Sequence, residues 1–135
     1  MASWLDVRRI ALALPETTEG GRLGYPSWSV HKKVFASESP LRRTDTRNLD
    51  DLGQDVPEGA ILSLAIDHAD SREDMIAEQP DLLFTVPQLA GYPTVLVRLD
   101  RVTEADLETL LEDAWLVRAP EKLAAARVVE RESQR

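Results

Sequence analysis

Cysteine is absent from the 135-residue sequence, and histidine occurs only twice, at His31 and His68. The first absence excludes disulfide bonds, thiolate metal sites and cysteine nucleophiles. Two histidines leave little material for a zinc site, so we expect no metal and no cofactor. The sequence also lacks an apolar run of membrane-spanning length and a signal-peptide pattern. We therefore expect a cytoplasmic protein without a membrane partner.

Aromatic residues are scarce as well, at 5% of the chain, but apolar residues together make up 43%. A chain of this length and apolar content is large enough to bury one hydrophobic core. We therefore expect one domain over residues 1–119, followed by a short C-terminal helix and a frayed tail over residues 120–135.

Positive charge is in the minority, with 16 basic against 24 acidic residues and a net charge of −8. The basic residues are unevenly distributed. Residues 22–47 hold six of them against two acids, a net charge of +4, whereas residues 48–116 hold three against sixteen acids. Such asymmetry is typical of a protein with an anion-binding face, but charges of both signs also simply keep a surface hydrated. Both interpretations remain open at this point.

The N-terminal segment has the pattern of an amphipathic helix. Ser3 is the predicted N-cap, with Asp6 as its capping-box partner. The apolar residues that follow have the helical spacing i, i+3, i+4, i+7, namely Val7, Ile10, Ala11 and Leu14. Pro15 ends the helix, and residues 16–21 are predicted to form a turn.

The next segment has the alternation of a β-hairpin. Trp28 and Val30 alternate with polar residues, which predicts a strand with Trp28 in the core. A similar alternation over residues 34–37 predicts a second strand. The two strands are joined near Lys32 and Lys33, whose long cationic side chains reach solvent at the turn.

The polar segment after the hairpin, residues 39–59, is predicted to be a long loop with one helical turn at residues 48–54. The rest of the chain alternates between strands and helices. Strands are predicted at residues 60–66, 82–86 and 94–99, and helices at residues 67–79, after the N-cap Thr103, and at residues 121–128. This order indicates an α+β fold in which a mostly antiparallel sheet is packed by helices on one face.

Several short motifs in this order resemble the MmcQ/YjbR-like family. The hairpin reads Gly24-Tyr25-Pro26-Ser27-Trp28 and then Lys33-Val34-Phe35-Ala36, and the first helix ends Leu14-Pro15-Glu16. The C-terminal half adds three more stretches, Leu82-Leu83-Phe84-Thr85-Val86-Pro87, Gly91-Tyr92-Pro93-Thr94-Val95-Leu96-Val97-Arg98-Leu99 and Asp113-Ala114-Trp115. The likeness extends from about Val7 to Leu123.

The resemblance implies a fold similar to that of frataxin-like proteins and DNA binding through a double-wing surface. The family has no firmly assigned enzymatic activity, so the resemblance supplies no catalytic residue, and we favour a binding protein over an enzyme. Two positions depart from the family pattern. His31-Lys32 replaces the glycines of the hairpin turn, which disfavours a tight two-residue turn. Gln88 replaces a histidine that relatives often carry.

The predicted nucleic-acid site combines one aromatic residue with the basic residues of the hairpin and the following loop, namely Tyr25, Lys32, Lys33, Arg42, Arg43 and Arg47. In this hypothesis the cations contact phosphates and Tyr25 contacts a sugar or a base. Useful non-specific affinity takes about six phosphate contacts, a number that these cations barely reach. DNA binding is therefore expected to be weak and to weaken further as salt rises.

The alternative hypothesis is a protein-interaction or small-molecule-binding domain. Tyr92 and Trp115 are candidates to line a pocket beside the turn at residues 87–93, although ordinary corner packing uses the same residue types. The acidic residues of the last long helix are candidates to contact a basic protein, and otherwise form a solvated face. The acids around His68 are interpreted as the start of a helix rather than as a metal site.

Overall fold

A computed structural model describes residues 2–22, 24–41, 43–53 and 59–133 of the chain. Within these ranges it leaves out the side chains of Arg22, Arg43, Thr44, Thr46, Asn48 and residues 131–133. The statements below concern the described residues only.

The described residues form one sheet and five α-helices. The helices are α1 (Trp4–Ala13), α2 (Arg43–Asp51), α3 (Arg72–Glu78), α4 (Glu104–Arg118) and α5 (Glu121–Ser133). The strands are β1 (Thr17–Arg22), β2 (Tyr25–Val30), β3 (Lys33–Glu38), β4 (Ile61–Ala65), β5 (Leu83–Phe84) and β6 (Thr94–Arg98). The sheet is antiparallel throughout, in the order β1-β2-β3-β4-β6-β5. The predicted α+β class is confirmed.

The main core lies between one face of the sheet and the helices α1 and α4. The apolar stripe predicted for α1 is buried there, together with alternate residues of the central strands, including Leu62, Leu64, Val95 and Val97. Both predicted N-caps form. Asp6 N–H donates to Ser3 Oγ while Ser3 N–H donates to Asp6 Oδ2, and Asp106 N–H donates to Thr103 Oγ1. These caps satisfy backbone donors that have no partner inside their helices.

Two tryptophans contact the first helix and the loop that follows it, Trp28 from β2 and Trp115 from α4. Trp28 is buried, as predicted, and its ring stacks on Trp4 with 6.4 Å between centroids. The Trp28 indole N–H donates to Glu19 Oε1 at 3.1 Å. Trp115 is also fully buried, and its indole N–H donates to the carbonyl of Pro15 at 3.0 Å. Both rings therefore bury their apolar surface without leaving an unpaired donor.

Two segments differ from the sequence prediction. Residues 16–21 were predicted to be a turn, but Thr17–Arg22 pairs with β2 along its whole length. β1 has the sequence TTEGGR and contains no apolar side chain, so periodicity does not reveal it. Residues 39–59 contain the helix α2 and not only the helical turn predicted at residues 48–54. Leu49 of this helix is buried against the sheet. Gln54 and residues 55–58 lie outside the described residues.

The C-terminal half follows the predicted order with shifted boundaries. The helix predicted at residues 67–79 begins as a 3₁₀ turn at Ala69–Ser71, and the strand predicted at 82–86 pairs only at Leu83–Phe84. Helix α5 continues past the predicted end at residue 128 to Ser133. The division of the chain into 1–119 and 120–135 stays a prediction.

A second, smaller apolar cluster lies on the opposite face of the sheet. It contains Leu49 from α2 together with Ile61, Phe84, Val86 and Leu96. Helix α2 and the 3₁₀ turn at Pro87–Leu89 cover this part of the face. On the same face, β2 and β3 present small polar residues such as Ser27 and Ser37. Helix α2 and the 3₁₀ turn therefore cover the apolar part of this face and end where the polar residues begin.

Candidate functional site

A cleft of about 500 Å³ opens at the border between the covered and the polar parts of the second face. We call it the sheet cleft. Its strand residues are Tyr25, Ser37, Glu38, Ser63 and Leu96. The loop after β3, helix α2 and the segment after β5 supply the other side, namely Ser39, Pro40, Leu41, Asp45, Val86, Gln88 and Leu89.

The floor of the sheet cleft is a consequence of strand register. Ser27, Ser37 and Ser63 are paired across β2, β3 and β4, and Ser63 is paired in turn with Leu96 of β6. Paired residues of antiparallel strands point to the same face, and neighbouring strands lie about 4.8 Å apart. A row of small side chains therefore runs about 10 Å across the sheet, and Ser37 and Ser63 from this row line the cleft.

The sheet cleft has a polar side with carboxylates and an apolar side. Asp45, in the first turn of α2, is only 6% exposed, and Glu38 stands at the end of β3. No basic residue is found among the described residues that line the cleft. Tyr25 lies at the rim and is 42% exposed. Four aliphatic side chains also line the cleft, namely Leu41, Val86, Leu89 and Leu96.

A buried arginine holds the segment that supplies Gln88 and Leu89 to the cleft. Arg72, at the start of α3, donates from one guanidinium nitrogen to the carbonyls of Leu89, Tyr92 and Thr94 at 2.9, 3.0 and 3.0 Å. These bonds fasten the loop between β5 and β6 to α3. Sequence reasoning missed this role because backbone acceptors 17 to 22 residues away leave no pattern in the sequence.

The predicted nucleic-acid residues fall into two separate places. Lys32 and Lys33 are exposed at the tip of the β2–β3 hairpin, whereas Tyr25 begins β2 at the opposite end. Five strand steps of about 3.3 Å separate these ends by roughly 17 Å. Arg47 is exposed on α2, whereas Arg42 and the side chain of Arg43 lie outside the described residues. The structure brings Tyr25 next to the sheet cleft and not next to the lysines.

The tip itself is a tight turn. Val30 pairs with Lys33, which leaves His31 and Lys32 as a two-residue loop with φ of 48° and 68°. The expectation that these two residues disfavour such a turn is wrong, since both adopt the left-handed conformation without glycine. His31 Nε2 lies 2.9 Å from Glu16 Oε1. Within the described part of the chain, Lys32, Lys33 and Arg47 form no ion pair.

The residues predicted to line a corner pocket are in different environments. Tyr92 is 62% exposed in the loop between β5 and β6, whereas Trp115 is enclosed in the main core. Neither residue lines the sheet cleft. Gln88 does line it.

The acids around His68 belong to a helix start. Asp67 Oδ1 accepts from His68 N–H at 2.8 Å, and this bond, followed by one with the Ser71 hydroxyl, lowers the pKa of the Asp67 carboxyl. No group of three metal-ligating side chains is brought together in the parts of the chain that the structure describes.

Among the described residues, no helix has both the length and the apolar character needed to cross a bilayer.

Residues 12–117 match the model of the family described as YjbR. These residues include all six strands described above, the helices α2 and α3 and nearly all of α4. The chain belongs to the YjbR family. This finding confirms the resemblance inferred from the sequence. Within the YjbR family, uncharacterised proteins of Mycobacterium tuberculosis and Mycobacterium bovis are 40% identical to this chain over 126 residues. Each alignment covers 93% of this chain and 95% of the relative.

A solved structure supports the YjbR fold. The crystal structure of Deinococcus radiodurans protein DR2400, whose domain is described as DUF419, superposes with a TM-score of 0.61 and 21% sequence identity. The superposition covers 87% of this chain and 78% of that one. At this identity the likeness concerns the fold, and the site must be argued from the residues of this chain.

Proposed function

We propose that this YjbR-family protein is a ligand-binding module whose site is the sheet cleft. The observation that carries the proposal is the cleft itself, with a volume of about 500 Å³. Small-molecule sites in proteins occupy about 300–1,000 Å³ and combine apolar walls with a few polar groups. The sheet cleft has this composition, with serines, a glutamine, two carboxylates and four aliphatic side chains in its lining.

The rigid supports of the cleft strengthen the proposal. Its floor lies on three hydrogen-bonded strands, and the loop that forms one wall is fastened by Arg72. A site on such supports does not need to be ordered by the ligand, so less binding free energy is lost on binding. Larger apolar residues in place of Ser37 and Ser63 would instead extend the second apolar cluster and close the cleft.

A cleft-filling variant tests the proposal. A small-molecule library is screened by thermal shift against the wild type and against Ser63→Leu, with Ser29→Leu as the matched control. Ser29 has the same side chain in β2 and does not line the cleft. A ligand at 100 times its Kd stabilises the folded state by about 2.7 kcal/mol, which raises the Tm by several degrees. We expect the ligands to shift wild type and Ser29→Leu but not Ser63→Leu.

Two results of the screen would count against a ligand site in the sheet cleft. Ligands that stabilise Ser63→Leu as much as Ser29→Leu bind elsewhere, and a library without any ligand sensitive to the Ser63 substitution contradicts the proposal. The melting temperature of each variant without ligand shows whether the substitution has disturbed the fold.

A second candidate function is weak DNA binding at the hairpin tip. It is supported by the exposure of Lys32 and Lys33 and by the absence of an ion pair for either lysine among the described residues. Two phosphate contacts give a slope of only about −2 in a plot of log affinity against log salt concentration. Arg47 contributes to the same duplex only if the DNA spans the length of the hairpin. The expected binding is therefore weak and non-specific.

Fluorescence anisotropy with a labelled duplex at low salt tests this second candidate. The double variant Lys32→Glu, Lys33→Glu is compared with Arg118→Glu, Lys122→Glu, which changes the net charge equally at the end of α4 and the start of α5. We expect only the first pair to abolish binding. An equal effect of both pairs would show that net charge, and not the hairpin tip, governs any association.

A further inference from the structure

We propose that a crevice between α3 and α4 binds a small uncharged apolar molecule of about the size of one benzene ring. This α3–α4 crevice has a volume of about 150 Å³ and lies on the side of the sheet that holds the main core, whereas the sheet cleft opens on the other face. The inference is therefore independent of the proposed function. It depends on the apolar lining of the crevice, on the engagement of its polar groups and on its volume.

Eight apolar side chains line the α3–α4 crevice. Four belong to β4, to β6 and to the residue after β4, and all four are buried, namely Leu64, Ala65, Ile66 and Val95. The other four belong to α3 and α4, namely Met75, Leu110, Ala114 and Val117. The three residues of α4 have the spacing i, i+4, i+7, so they lie on one face of that helix. Such a lining favours an apolar ligand, because the ligand removes apolar surface from water on binding.

The polar groups at the crevice are already engaged. The polar side chains in its described lining are the carboxylates of Asp67 and Asp113, both in exposed residues. Asp67 Oδ1 accepts a hydrogen bond from His68 N–H at 2.8 Å, and Asp113 also has an interaction partner. The backbone N–H of Ile66 donates to the carbonyl of Pro93 at 3.0 Å. A polar or charged group of a ligand would therefore lose its hydration in the crevice with little compensation.

The charge of the lining disfavours ions of both signs. An anion would lie within a few ångströms of two carboxylates, which repel it. A protonated amine would have to compete for carboxylates that already have partners. No basic residue is found among the described residues of the lining, and every chain neighbour of a lining residue is described as well. The crevice therefore favours an uncharged ligand.

The volume of the crevice limits the size of the ligand. An apolar cavity of about 150 Å³ lined by residues such as leucine and isoleucine stays dry and binds benzene. Sites for drug-sized molecules are larger, at about 300–1,000 Å³. The α3–α4 crevice therefore admits one ring or a short hydrocarbon. Met75 is half-buried in its lining, and the unbranched thioether side chain adapts to the shape of a ligand.

Toluene, benzylamine and benzoate test the inference, because they share one ring and differ in charge at pH 7. The full chain contains only two methionines, Met1 and Met75, so ¹³C-methyl labelling of methionine provides an NMR signal in the crevice, which Met75→Leu assigns. We expect toluene to shift this signal in a saturable manner and to bind at least tenfold more tightly than benzylamine or benzoate. Equal or tighter binding of either charged molecule overturns the inference.

A variant that fills the crevice identifies the site. Ala114→Leu places a larger side chain among the lining residues and is expected to abolish toluene binding. The matched control, Ala105→Leu, makes the same change at an exposed residue of α4 outside the crevice and should bind toluene like the wild type. If Ala114→Leu does not fold, Val117→Phe takes its place, because Val117 is a half-buried residue of the same lining.

The outcomes separate this inference from the proposed function. Toluene binding that survives the filling variant, or the absence of a saturable shift of the Met75 signal in the wild type, overturns the inference. Binding that is lost in Ser63→Leu and kept in Ala114→Leu would place toluene in the sheet cleft and also overturn it. The library screen decides about the sheet cleft independently of these results.

Discussion

Arg72 is the residue on which the position of the β5–β6 loop depends most directly. Its side chain is 9% exposed and serves three backbone carbonyls from one nitrogen. A hydrogen bond that involves a charged group contributes about 1.5–3 kcal/mol, and unpaired buried acceptors carry a further cost. We therefore expect Arg72→Met, which retains the aliphatic stem, to lower the free energy of unfolding by about 2–4 kcal/mol in chemical denaturation.

The neighbouring position provides the control for this prediction. Glu73 is exposed in the same helix, and Glu73→Met should change stability by no more than about 0.5 kcal/mol. Hydrogen exchange gives a second reading, because the Arg72 variant should lose protection at the amides of residues 89–94. Equal stability of the two variants would contradict the role that we assign to the arginine.

The buried arginines also explain part of the charge pattern. The segment 48–116 holds three basic residues, and two of them, Arg72 and Arg98, are buried. The Arg98 guanidinium lies 4.6 Å from the centroid of the Phe84 ring, which is a cation–π contact. Because these two cations are buried, they do not offset the acidic residues at the surface. The surface of this segment is therefore more acidic than its net charge in the sequence indicates.

At the scale of elements, the turn of the β2–β3 hairpin is a place where substitutions are expected to stabilise the fold. His31 and Lys32 both have positive φ, which costs less for asparagine and glycine. We expect His31→Asn with Lys32→Gly to raise the free energy of unfolding by about 1 kcal/mol in denaturant titration. The hydrogen bond lost between His31 and Glu16 is exposed and contributes little.

A glycine placed one residue later is the control. Lys33 begins β3 and is not among the residues with positive φ, so Lys33→Gly should destabilise by about 0.5–1 kcal/mol. Stabilisation by both glycines would show that the effect does not arise from turn geometry.

The capping box of α1 makes stability depend on pH. The pKa of the Asp6 carboxyl is lowered from its ordinary value of 3.8, chiefly by the hydrogen bond from Ser3 N–H. A lowered folded-state pKa contributes stability that is present above pH 3.8 and is lost as pH falls through the lower folded value. We expect Asp6→Asn to lower the Tm near pH 6 and to approach the wild type near pH 3. A Tm difference that is constant over this range would contradict the prediction.

At the scale of the whole molecule, residues 120–135 are predicted to lie outside the folding unit. Leu123 packs against the main core, and Arg127 Nε lies 3.0 Å from Glu112 Oε1. A partly buried leucine contributes about 1–2 kcal/mol, which is a small share of the stability of a domain. We expect truncation after Ala119 to retain a cooperative thermal transition by circular dichroism, with a lower Tm. Loss of the transition would show that the domain extends into α5.

Local patterns in the sequence were enough to predict the fold class, the family and most of the main core of the molecule. The apolar stripe of α1, the alternation around Trp28 and the caps Ser3 and Thr103 are local patterns, and local hydrogen bonding and side-chain spacing determine their outcome. Where such patterns are missing, prediction failed. The strand Thr17–Arg22 depends on its partner, and α2 depends on one buried leucine, Leu49.

The candidate site, in contrast, is assembled by tertiary packing. The serines of the cleft floor lie in different strands and become neighbours through register, and Asp45 lines the same cleft from a separate helix. The same packing placed Tyr25 and the two lysines at opposite ends of one hairpin, although they are close in sequence. The physical reason is that a strand extends by about 3.3 Å per residue, whereas strand pairing brings distant residues to within about 5 Å.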